Sequence, residues 1–89
     1  MNIYIISFDL VAPGQRYDKI IELIKQYKVW AKLGTTTYLV QTTHSAIEVR
    51  DNLKAAIDLN DKLFVGKVMR PAAWSNMSDD VSKWIKEKF

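Results

Sequence analysis

Few residues in this chain could do chemistry. Its 89 residues hold one histidine and no cysteine, so thiol nucleophiles, disulfides and cysteine zinc sites are excluded. Asp9 is the residue of most interest. It closes the run Ile3-Tyr4-Ile5-Ile6-Ser7-Phe8, where apolar groups fall on both faces of a strand. A carboxylate at the end of a buried strand must be solvated, paired or coordinated to a cation. Two roles fit. Asp9 can hold Mg²⁺ or Mn²⁺, which take carboxylate oxygens together with substrate oxygens. It can also cap the following turn by accepting amides from the loop over 11–15. One carboxylate makes a poor metal site, and two brought together across a dimer axis make a better one. His44 lies in Thr42-Thr43-His44-Ser45, just before a helix cap, and reads as a surface loop histidine.

Trp74, in Pro71-Ala72-Ala73-Trp74-Ser75, could stack a base, or anchor a C-terminal arm onto a sheet or a partner. Thr36 and Thr37 carry hydroxyls that could meet phosphate, and they also suit a strand. Lysine and arginine outnumber acids to give a net charge of +3. The basic residues are scattered, so the charge favours polyanions without requiring them. Glycine-rich phosphate loops, the metalloprotease helix motif and the nucleophile elbow are all absent from the sequence. No apolar run approaches the roughly 20 residues of a membrane span. The opening lacks a basic leader region, and a cytoplasmic protein without membrane attachment is expected.

The elements that must position these groups follow from periodicity. Residues 2–10 read as a central strand, and Val11-Ala12-Pro13-Gly14 as a turn. A helix is expected from Gln15 or Arg16 to Tyr27, because Tyr17, Ile20, Ile21, Ile24 and Tyr27 form one stripe. Residues 29–42 favour β-structure, as a hairpin or one bent strand, with Gly34 as punctuation. Ser45 and Glu48 form a capping box that opens a helix to about Ile57, with Ala46, Val49, Leu53, Ala56 and Ile57 facing the core. Asn60-Asp61 is a turn, and Lys62–Met69 reads as a strand ended by Pro71. Ser78 caps a last helix whose apolar face is Val81, Trp84 and Ile85, with Phe89 at its end. The expected class is α+β. It is one ferredoxin-like βαββαβ domain over 1–89 with a short C-terminal helix, one sheet face under two helices and the other open. An open face or edge invites homodimerisation.

A resemblance runs along nearly the whole chain, in order. Ile5-Ile6-Ser7-Phe8-Asp9-Leu10, then Pro13-Gly14-Gln15 and Tyr17, resembles the opening of small SinR-like proteins. These are relatives of the Cas-two family, the small subunit of the CRISPR spacer-acquisition complex. Trp30, Leu33 and Thr36-Thr37-Tyr38-Leu39-Val40 are similar to that group's next segment. So are Glu48-Val49-Arg50-Asp51 with Leu53, then Asp58 with Asn60-Asp61, Leu63 and Val65, then Ala73-Trp74, and Ser82-Lys83-Trp84-Ile85-Lys86. The resemblance implies a ferredoxin-like homodimer. It also implies that Asp9 matches the carboxylate proposed in the Cas-two family to hold the metal of a phosphodiesterase site at the dimer axis. Thr36-Thr37-Tyr38-Leu39 stands where that family has an aromatic serine motif. Val11–Gly14 replaces the basic residues that often follow its aspartate, and Arg16 comes later.

Two functions are therefore expected, the first being preferred. One is a nucleic-acid-linked Cas-two-like dimer acting on DNA or RNA. Its catalytic form would be a Mg²⁺- or Mn²⁺-dependent nuclease through Asp9, with Arg16, Thr36, Thr37 and Trp74 as candidate contacts. The other is a non-catalytic dimeric module that binds a nucleotide-like small molecule or a protein partner.

Overall fold

In the computed structural model, residues 1–11 and 17–89 are described. The element order is β1 (Asn2–Asp9), α1 (Tyr17–Lys25), β2 (Val29–Gly34), β3 (Thr37–Thr42), α2 (Ala46–Leu53), β4 (Lys62–Lys67) and α3 (Asp79–Lys88). The chain is α+β, with one four-stranded sheet in the order β2-β3-β1-β4. Every neighbouring pair is antiparallel. β1 is central, as its two-sided apolar pattern requires, and β2 and β4 are the free edges. The expected turn over 12–14, the helix start at Gln15 or Arg16, and Arg16 itself lie outside the described residues.

Local chemistry explains the boundaries. Residues 29–42 form a hairpin, with Gly34 at a register shift between Lys32 and Gly34. The capping box opens α2: Glu48 N–H donates to Ser45 Oγ at 3.1 Å, and Ser45 N–H donates to Glu48 Oε1 at 2.8 Å. This reciprocal pair satisfies two amides that the first helical turn leaves unpartnered. α2 is shorter than its apolar spacing suggests. It tightens into a 3₁₀ turn over Lys54–Ala56, and the chain is extended at Ile57. β4 likewise ends at Lys67, before Pro71. α3 starts as expected, with Val81 N–H donating to Ser78 Oγ at 3.2 Å.

One sheet face carries the main core. Tyr4, Ile6 and Phe8 of β1 and Tyr38 and Val40 of β3 meet Ile20 and Ile24 of α1 and Val49 and Leu53 of α2. Phe8 and Tyr38 stack at 6.3 Å between ring centroids. Burial holds the Tyr38 phenol pKa above its ordinary value. Each such side chain contributes about 1.5–3 kcal/mol on leaving water.

The second face is not left wholly open. Ile3, Ala31 and Leu39 are buried there under Ile85 of α3, with Ile5, Leu33, Trp74, Val81 and Trp84 around them. α3 thus folds back over the β2–β3–β1 side of the sheet. Trp74 Nε1 donates to Ser82 Oγ at 3.0 Å, and Arg70 Nη2 to the Lys86 carbonyl at 3.4 Å. These bonds tie the segment after β4 to α3. Among the described residues, no helix is long and apolar enough to cross a membrane.

Candidate functional site

β1 carries Asp9 to the end of the sheet. Facing residues in an antiparallel ladder share a face, so register assigns the neighbours. Asp9 stands opposite Lys62. Ser7 stands opposite Phe64 on one side and Thr37 on the other. Ile5 stands between Gly66 and Leu39. All lie on the face that α3 partly covers. α3 packs over the Leu39 and Ile3 rows. Asp9, Ser7, Lys62 and Phe64 remain exposed and Thr37 half-buried. Among the described residues, the Asp9 carboxylate makes no ion pair.

The expected site residues divide. Asp9 and Thr37 share this uncovered end of the face. Thr36 sits just before β3, and its carbonyl accepts the Phe8 amide at 3.1 Å. Trp74 lies away from Asp9, half-buried with α3, its indole N–H engaged by Ser82. Trp30 packs on the opposite face, 6.2 Å from Tyr38 between ring centroids, under the Lys25 ammonium at 5.0 Å.

Asp61, in the turn before β4, has structural partners. Asp61 accepts the Val11 amide at 2.9 Å and the Asp58 amide at 2.8 Å. One carboxylate therefore links the loop after β1 to the turn before β4. His44 is exposed, with Nδ1 3.6 Å from Glu48 Oε2. The Ser45 amide and hydroxyl, with His44 beside them, hold the Glu48 carboxyl below its ordinary pKa. Among the described residues, no three histidine or acidic side chains are grouped to hold a metal ion.

Three members of the uncovered patch, Ser7, Lys62 and Phe64, do not stand out in the sequence. Phe64 is flanked by Leu63 and Val65, and all three are apolar, so the run does not tell which of them faces outward. Only its register opposite Ser7, on an edge strand, shows that it points away from the main core. No protein-family model, curated protein or solved structure matches this chain.

Proposed function

We propose that the chain is a ferredoxin-like, homodimeric, Cas-two-like module with a nucleic-acid-linked role, and that Asp9 is its metal-holding residue. Three things support this. The order β2-β3-β1-β4 with antiparallel neighbours agrees with a split βαββαβ unit. The resemblance to the SinR-like group runs in order along the chain. The observation that carries the reading is the Asp9 carboxylate, exposed at the end of the central strand on the part of the sheet face left uncovered by α3.

A solvent-facing carboxylate with no ion pair among the described residues suits a hard cation such as Mg²⁺ or Mn²⁺. Each chain offers one, so a two-fold dimer offers two. The bound ion would supply charge stabilisation at a scissile phosphate. Asp9 would hold it, while the Lys62 ammonium and the hydroxyls of Ser7 and Thr37 would contact phosphate and sugar. The exposed aromatic ring of Phe64 is also compatible with a second reading, a non-catalytic dimer that binds a nucleotide-like small molecule or a protein partner.

The test compares the wild-type protein with Asp9→Asn on labelled single- and double-stranded DNA and RNA, in Mg²⁺, Mn²⁺ or EDTA. Metal-dependent cleavage that disappears in Asp9→Asn supports the nuclease form. Cleavage that survives Asp9→Asn refutes the role of Asp9. Binding without cleavage favours a scaffold, and neither binding nor cleavage favours the small-molecule or protein partner.

A further inference from the structure

Phe64 is a large apolar side chain left 63% exposed on an edge strand. Its position is set by Gly66, two residues along the same face. A Cβ built on Gly66 would stand 2.7 Å from Phe64 Cε2 and 3.0 Å from Cζ. The ring therefore leans along β4 into the space a side chain at residue 66 would occupy. It is supported by backbone on that side and open to water on the other.

The surroundings of the ring are polar. Its row is completed by Ser7 and Thr37, and Lys62 lies on the same face one repeat away, opposite Asp9. The apolar residues of the next row, Ile5 and Leu39, already pack into the cluster under α3. The exposed ring therefore stands by itself among polar groups. An aromatic face bordered by hydroxyls and a cation suits a base with its sugar and phosphate.

We infer that Phe64, seated over Gly66, is a stacking platform for a base of single-stranded nucleic acid, with Lys62 contacting the adjoining phosphate. This rests on the nucleic-acid reading above and specifies its substrate. Asp9 lies one same-face repeat beyond Ser7, about 6.8 Å along the strand. A base on Phe64 thus brings its phosphate toward Lys62 and the Asp9 carboxylate. Single strands are the favoured form because a paired base does not offer its face.

The test measures binding of unstructured thymidine and uridine oligonucleotides, and of a duplex, by anisotropy in EDTA across a salt series. Phe64→Ser should weaken single-strand binding by about fivefold or more. Phe64→Leu, which keeps an apolar residue in the strand, should do nearly the same. Gly66→Ala should shift the ring and weaken binding while Phe64 is still present. Lys62→Gln should lower the magnitude of the logarithmic salt slope by about 0.7. Sedimentation of each variant reports self-association in parallel. If the wild type binds and all four variants bind like it, the platform is refuted and the nucleic-acid reading stands. If Phe64→Ser changes only the sedimentation behaviour, the ring is a contact between copies and the inference fails. If the wild type binds no nucleic acid at low salt, both readings fall.

Discussion

Ile85→Ala tests whether α3 belongs to the folded core. Ile85 is only 5% exposed and faces Ile3, Ala31 and Leu39 across the second sheet face. Truncation removes the carbons beyond Cβ at about 0.8 kcal/mol each, or about 2.4 kcal/mol in all. A cavity term adds to this where the surroundings cannot collapse. α3 is a peripheral helix whose other contacts, Val81, Trp84 and Phe89, are only half-buried, so it can settle towards the sheet. The expected loss is therefore near the low end for such substitutions, about 2–3 kcal/mol. That is a large share of the stability of a small domain. Ile47→Ala is the matched control, because Ile47 is 61% exposed on α2 and should cost within about 0.5 kcal/mol. Urea unfolding followed by circular dichroism gives both numbers, and tryptophan fluorescence reports Trp74 and Trp84 beside the site. Equal stability of the two variants would refute the packing of α3 on the sheet.

Two further outcomes follow from the local hydrogen bonds. The Glu48 carboxyl is held below its ordinary pKa, chiefly by the Ser45 amide. A depressed folded-state pKa gives stability that is fully present above the unfolded value and is lost as pH falls through the folded one. The advantage of wild type over Glu48→Gln in melting temperature should therefore shrink as pH is lowered from about 6 to about 3; a constant difference would contradict the capping geometry. Asp61→Ala removes the acceptor of both the Val11 and Asp58 amides and should cost about 1–2 kcal/mol, with faster hydrogen exchange at Val11. Unchanged exchange there would show that the carboxylate does not link the two loops.

What could be read from the sequence was what depends on short range. The Ser45–Glu48 box and the Ser78 cap are each complete within a few residues, and both helices begin where those signals place them. The stripe from Ile20 to Ile24 likewise identifies the buried side of α1. Asp9 at a strand end was legible because the apolar run stops there. The remainder depends on register. Ile3, Ala31 and Leu39 come from three strands, and only their alignment creates the surface that Ile85 covers. The same holds for Phe64, whose exposure comes from β4 being an edge, and for the Asp9–Lys62 pairing. The early end of α2 was hidden because Ala56 and Ile57 continue the helical apolar spacing although the chain has already left the helix.

The central position of β1 also constrains when the sheet can form. Its two partners, Thr37–Thr42 and Lys62–Lys67, both follow it in the chain. During synthesis, Ile3, Ile5 and Phe8 emerge first, yet one edge of their strand stays unpaired until Lys67 has been made. A chain halted before β4 would carry an apolar strand with an open edge, the kind of species that recruits chaperones or aggregates. The strand that presents Asp9 is thus the first of the sheet to be synthesised and among the last to be fully paired. Folding of this domain should couple to completion of β4 rather than proceed element by element.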